Sequence, residues 1–145
     1  MSNSITAVFN ALSADPTLAG ILSGGLYNWV DTPELSRQAT PAAFDEFGEM
    51  KPSGLVKPES ATPWGPLPDG GRVYINVWLY DQAGFETLDA ARERIYTLLH
   101  RQQISTSAGI FDVRHSNDLL GAEVPGLDVS MVVCRYYATI YRKAD

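Results

Sequence analysis

Apolar and polar positions alternate most clearly from Arg72 onward. In Val73-Tyr74-Ile75-Asn76-Val77-Trp78-Leu79-Tyr80, the residues Val73, Ile75, Val77 and Leu79 share one face. Tyr74, Asn76, Trp78 and Tyr80 share the other, so the spacing predicts a central strand with an aliphatic side and an aromatic, half-polar side. Asp81-Gln82-Ala83-Gly84 turns the chain. The period then changes to that of a helix over about 85–101, with Phe85, Leu88, Ala91 or Arg92, Ile95, Leu98 and Leu99 as its buried stripe. Glu86 and Asp89 stand near its start and His100 and Arg101 near its end, where the helix dipole favours those charges.

Two helices are predicted before this unit. Ile5, Val8, Phe9 and Leu12 fall at helical spacing in residues 4–14, with Ser4 as the expected cap. Asp15-Pro16-Thr17-Leu18 opens a second, short helix over 16–22, with Asp15 as N-cap and Pro16 in its first turn. Gly24-Gly25 closes it, and Leu26 to Val30 reads as a short strand. Past the long helix, Ile110 to His115 alternates as a strand. Asn117-Asp118 and Pro125-Gly126 read as turns. Residues 127–142 form the longest expected strand, with Val129, Met131, Val133, Arg135, Tyr137, Thr139 and Tyr141 on one face and Val132, Cys134, Tyr136, Ala138 and Ile140 on the other.

Residues 31–71 break both periodicities. They hold Pro33, Pro41, Pro52, Pro58, Pro63, Pro66 and Pro68 and five glycines. Each proline removes a backbone donor, so a long loop or arm is expected there, with one edge strand near 53–59. Phe44, Phe47, Leu55 and Trp64 are the apolar anchors such an arm offers to a neighbouring subunit. The order of elements gives one α+β domain over 1–145: a mostly antiparallel sheet, helices packed on one face, and a long Pro/Gly-rich excursion.

Composition narrows the function. The chain has 145 residues, 45% apolar and 19% charged, as a single folded domain does. Its net charge of −6 argues against a protein whose main task is to grip nucleic acid. The single cysteine, Cys134, makes no internal disulfide. The start of the sequence lacks a signal-peptide pattern, and no apolar run approaches the ~18 residues of a membrane helix, so cytoplasmic synthesis and no membrane partner are expected.

No catalytic constellation emerges, and neither a cofactor nor a metal is expected. His100 and His115 stand in no metal-ligand spacing and read as a helix-terminal and a strand-terminal histidine. Cys134 lies among apolar neighbours, the setting of a structural thiol; a pairing with His115 across strands is the reactive alternative. Asp45, Glu46 and Glu49, with Glu34 nearby, match no cation-binding loop and read as a solvated cluster. Gly65 to Gly71 precedes a strand, whereas a phosphate loop follows one. Arg135, Arg142 and Lys143 interleave with Tyr136, Tyr137 and Tyr141. That pattern can stack bases, but on a sheet it is more often a protein interface.

The stretch VYINVWLYDQAGFETLDAARERIYTLLHR from Val73 to Arg101 resembles the tail-completion and head–tail joining proteins of long-tailed bacteriophages, tail terminators among them. The opening from Val8 to Tyr27 and the closing strand from Leu127 to Arg142 resemble the same family; residues 31–71 are longer and richer in proline than its usual connection. The resemblance implies a non-enzymatic virion protein that forms a ring, hexameric as a rule in that family. Such a ring caps the tail tube and meets the head connector. The expected partners are further copies of the chain, the tail tube protein and the head-completion protein, with double-stranded DNA passing through unbound. Tail terminator and head-side stopper stay open as alternatives, and so does a small ligand-binding or enzymatic domain with Trp78, Tyr80, Tyr137 and Tyr141 around a pocket. In the ring reading, Arg135, Tyr137 and Tyr141 join the interface anchors. Glu34, Asp45, Glu46, Glu49, Asp118 and Glu123 are the candidates for facing the lumen.

Overall fold

The computed structural model describes residues 2–63, 70–106, 109–124 and 129–141, and side-chain surroundings for 5–58, 73–104, 112–119 and 129–139. The elements run α1 (Ser2–Ser13), α2 (Pro16–Ile21), β1 (Gly25–Asn28), a 3-10 turn (Pro41–Ala43), β2 (Ser53–Pro63), β3 (Gly70–Asp81), α3 (Glu86–Leu99), β4 (Gln102–Thr106), β5 (Gly109–Val124) and β6 (Val129–Tyr141). The strands form one sheet in the order β1-β2-β3-β6-β5-β4. Only β1 and β2 pair in parallel; every other neighbouring pair is antiparallel. The α+β class read from the sequence is the class observed.

β3 and β6 form the centre, in unbroken register from Gly70 opposite Tyr141 to Asp81 opposite Ser130. Their aliphatic faces coincide: Val73, Ile75, Val77 and Leu79 meet Val132, Cys134, Tyr136 and Ala138, all buried. The helices cover this face with Ile5, Val8 and Leu12 of α1, Leu18 of α2, and Leu88, Ala91, Ile95 and Leu99 of α3. Of the stripe expected for the long helix, Leu88, Ala91, Ile95 and Leu99 are buried, while Phe85 and Leu98 pack against the core partly buried. Asp15 caps α2 as expected, its Oδ2 accepting the Leu18 amide at 2.9 Å. Gly25, at φ +98°, ends the helical pair by donating its amide to the Leu22 carbonyl. α1 begins at Ser2, so Ser4 lies inside it and is not its cap.

Four expectations are corrected. The strand expected at an edge near 53–59 is the 11-residue β2, an interior strand between β1 and β3. Its prolines are accommodated because the register slips between Pro58 and Ser60 and because Pro63 ends the strand. Asn117-Asp118 is not a turn: β5 continues through it, with register shifts between His115 and Asn117 and between Leu119 and Ala122. The helix ends at Leu99, and Arg101, in the left-handed region at φ +63°, leads into β4, a strand that the pattern did not announce. The short first strand stops at Asn28, where turn bonds from Asp31 and Thr32 to the Asn28 carbonyl begin the excursion. The Pro125-Gly126 turn lies outside the described residues.

The first part of the excursion is ordered by polar bonds. Thr40 Oγ1 accepts the Ser36 amide at 3.1 Å and donates to the Ser36 carbonyl at 3.0 Å. This knot turns residues 41–50 back onto the sheet. There Ala43, Phe44 and Met50 pack with Val129 and with partly buried Tyr27, Leu35 and Tyr80. Tyr80 alternates with Leu79, so this small second core lies on the face opposite the helices.

Candidate interaction surfaces

Three polar or aromatic regions emerge from the fold. The first lies between α3 and β5. In a regular strand His115 and Asp118 would point to opposite faces, being three residues apart. The register slip between His115 and Asn117 adds one residue and brings both toward the helices, opposite Tyr136 and Cys134. His115 Nε2 then stands 2.9 Å from Asp118 Oδ1, and Arg92 Nη1 of α3 stands 3.2 Å from Asp118 Oδ2. The His100 Nδ1 accepts the His115 amide at 3.0 Å, and Tyr96 stacks on His100 at 4.7 Å. Arg92, Tyr96, His115 and Asp118, with Glu93 and Thr97, line a groove of about 450 Å³.

The groove pairs its charges internally. The hydrogen bond that it donates to Asp118 holds the Arg92 guanidinium above its ordinary pKa, with a smaller opposing effect of burial. Burial moves His100 down, helped by the neighbouring cations, so it favours the neutral ring that accepts a backbone N–H. Cys134 lies opposite Asp118 in register, and burial pushes its thiol far above the ordinary range. A thiol so held is a poor nucleophile. Sequence spacing gave no sign of this cluster, because only the bulge brings its members together. Among the described residues no group of three or more His, Cys, Asp or Glu is arranged to hold a metal. Among them, too, no helix is long and apolar enough to cross a membrane.

The second region is the sheet face opposite the helices. Trp78 stands on it beside Leu55, with the Lys57 ammonium 5.3 Å from the indole ring. Tyr74 and Tyr137 tilt against one another at 6.3 Å. Arg135 and Asn76 are cross-strand neighbours there. Trp78 Nε1 and Asn76 Oδ1 are both buried without a hydrogen-bond partner. Tyr80 belongs instead to the second core, where burial pushes its hydroxyl up to about 12. The aromatic residues proposed for one ligand pocket are thus divided between two settings.

The third region is the acidic loop. Phe44 and Met50 bridge as an antiparallel pair, and the Asp45 amide donates to the Glu49 carbonyl at 2.8 Å. Asp45 Oδ1 accepts the amides of Phe47 and Glu49, both at 2.9 Å. Gly48, at φ +77°, makes the turn possible, and Arg37 Nε donates to its carbonyl at 2.9 Å.

The expected interface residues fall into different places. Leu55 (3% exposed) and Phe44 (8% exposed) are buried within their own subunit, so as anchors for a neighbour they are corrected: their apolar surface is already used. Phe47 is 79% exposed at the tip of the acidic loop. Tyr137 and Arg135 are half-buried on the second sheet face. Tyr141 pairs with Gly70 and Ile110 in the sheet, with its side chain outside the described residues. Trp64 lies outside them altogether. Of the expected lumen residues, Glu34, Asp45, Glu46 and Glu49 are exposed. Asp118 is corrected, since its carboxylate is committed to Arg92 and His115 beneath α3. Glu123 pairs with Ser130 in the sheet, and its side chain is outside the described residues.

An α+β domain with a helix-covered sheet, an aromatic second face and no assembled catalytic group is therefore what the chain defines among its described residues. No family model and no curated protein matches it. Among solved structures it is similar to a chain of the virion of a native gene transfer agent particle, with a TM-score of 0.73 and 18% identity over 94% of this chain and 92% of that one. At that identity the likeness is one of fold.

Proposed function

We propose that the chain is a non-enzymatic virion protein that assembles, with copies of itself, into a ring at the head-proximal end of a phage-type tail. The observation that carries the reading is the fold likeness to a chain of a virion particle, which runs almost end to end on both chains. The segments that resemble tail-completion proteins, Val8–Tyr27 and Val73–Arg101, take in the second half of α1, all of α2 and most of the central β3–α3 unit of that fold. The second sheet face supports an assembling role: it carries Trp, Tyr and Arg, the favoured anchors of interfaces, together with a buried donor and acceptor still unpaired.

In this reading the ring is hexameric, ends the tail tube and meets the head-completion protein of the connector; a stopper on the head side is the variant of the same architecture. Arg135, Tyr137 and Tyr141 take part in the contacts. Glu34, Asp45, Glu46 and Glu49, with Glu123, are the acidic side chains offered to a lumen through which DNA passes. Native mass spectrometry of the purified chain, alone and with tail tube protein, tests the reading. A closed oligomer, or one that forms on the tube, is expected. A monomer under every condition that also ignores tube ends refutes it.

A further inference from the structure

The β4–β5 ladder starts with Gln102 opposite Val113, and the Arg101 amide donates to the Val113 carbonyl at 2.8 Å. β5 runs on past this point, but among the described residues β4 offers it no further pair. The His115 amide donates instead to the His100 Nδ1, at 3.0 Å. A side chain at the C-cap of α3 thus takes the place of a ladder carbonyl. It does so beside the register slip between His115 and Asn117, which brings Asp118 beneath α3.

A ring nitrogen accepts a backbone N–H only while it carries no proton itself. This bond therefore requires a neutral His100 with its proton on Nε2. Tyr96, one turn earlier on α3, stacks on the ring at 4.7 Å and fixes its plane.

The surroundings oppose a charge on that ring. Arg101 follows it in the chain, and His115 and Arg114 face it from β5. The carboxylates of β5 are engaged: Asp118 with Arg92 and His115, and Asp112 with Arg114. On α3, Glu93 lines the groove two turns before His100. From β6 come Tyr136, 5.2 Å from the His115 ring, and the Cys134 thiol, and burial keeps both of these protonated. α1, which packs against β4, brings no titratable side chain. Burial, helped by the cations, holds His100 below its ordinary value of 6.5. The bond is therefore complete above that value and is lost as pH falls through the lower, folded one.

We propose that His100 is an acid-operated latch: a proton on its Nδ1 releases the His115 amide, and the 115–118 bulge of β5 separates from the end of α3. Two donors then face each other across the former bond, and the new charge stands among Arg101, Arg114 and His115. The groove lined by Arg92, Tyr96, His115 and Asp118 is intact at neutral pH and open in acid. The latch works within one chain, so it stands or falls apart from the ring reading.

Amide hydrogen exchange, expressed as protection relative to an unstructured chain at each pH, tests it. Between about pH 8 and pH 5, where histidine changes charge, His115 protection should fall by about 10-fold or more in the wild type. Amides of the central β3–β6 ladder should keep theirs. His100→Asn sets an amide oxygen where Nδ1 stands and takes no proton, so the step with pH should vanish. His100→Phe keeps a ring without an acceptor and should leave the His115 amide weakly protected at both ends of the range. Wild-type protection that stays level overturns the latch, and so does an undiminished step in His100→Asn. Loss at His115 together with the central ladder marks global unfolding and overturns it as well.

Discussion

Arg94 of α3 grips Asp15, seventy-nine positions away in sequence, with two hydrogen bonds: Nη2 to Oδ1 at 2.7 Å and Nε to Oδ2 at 2.9 Å. The same carboxylate caps α2 through the Leu18 amide. One side chain therefore fixes the start of α2 and ties it to α3, whose other face buries Ile95 and Leu99 in the core.

This pair sets an acid limit. The hydrogen bond from Arg94 is the largest influence on Asp15 and, with the Leu18 amide, outweighs burial to bring its pKa from 3.8 to about 2. A depressed carboxylate pKa gives stability that is complete above the unfolded value and is lost as pH falls through the folded one. Arg94→Gln should lower the melting temperature at neutral pH, and its deficit against wild type should shrink between pH 4 and pH 2, the window set by those two values. A deficit that stays constant across the window contradicts the pairing.

Ile95 is fully buried under α3. Ile95→Asp brings an unpaired charge into the core and should cost roughly 3–5 kcal/mol, against about 1 kcal/mol for Ile95→Val. Urea titration of both variants checks the packing. An Ile95→Asp protein as stable as Ile95→Val would mean that α3 does not lie across the sheet as described.

Gly54 in β2 leaves room for Leu26 of β1 and for Leu22, just past α2, over the sheet. A Cβ there would stand 2.9 Å from Leu26 Cδ1 and 3.2 Å from Leu79 Cδ2. Gly54→Val should destabilise by about 1–3 kcal/mol through overpacking. Because Leu26 is the nearer obstacle, the cost should be smaller in a Leu26→Ala background, and a double-mutant cycle measures the difference. Strict additivity would show that Leu26 is not what the new side chain meets.

The parts of this fold that were legible in the sequence are those set by local periodicity. Val73 to Leu79 and the stripe from Leu88 to Leu99 declared both their element and their buried face, because each pairs a regular spacing with one core. β2 was only partly legible. Pro58 and Pro63 read as breakers, and only the register slip and the strand end show how a sheet interior tolerates them. Phe44 and Leu55 looked available because sequence does not show that residues 41–50 fold back over Tyr80. The Arg92–Asp118–His115 cluster depends on a single bulged residue in β5, a tertiary feature without a local signature.

A tail ring must let duplex pass, and a lumen that bound phosphate tightly would retain it. The chain carries −6, from 17 acidic and 11 basic side chains. Within the described residues, Arg92 and Arg94 are further committed to carboxylates, whereas Glu34, Glu46 and Glu49 stand exposed in no ion pair. If the proposed ring forms, acidic groups at its passage repel phosphate, and water with counterions fills the gap. Assembled protein should therefore show no appreciable duplex binding at moderate salt. Replacing Glu34, Glu46 and Glu49 together by Lys should create binding that weakens steeply as salt rises, since neutralised phosphates release counterions. If the unmodified assembly itself binds duplex tightly and in a salt-sensitive way, the repelling passage is ruled out, and the face that carries Arg135, with Arg142 and Lys143 beyond it in sequence, becomes the surface to substitute next.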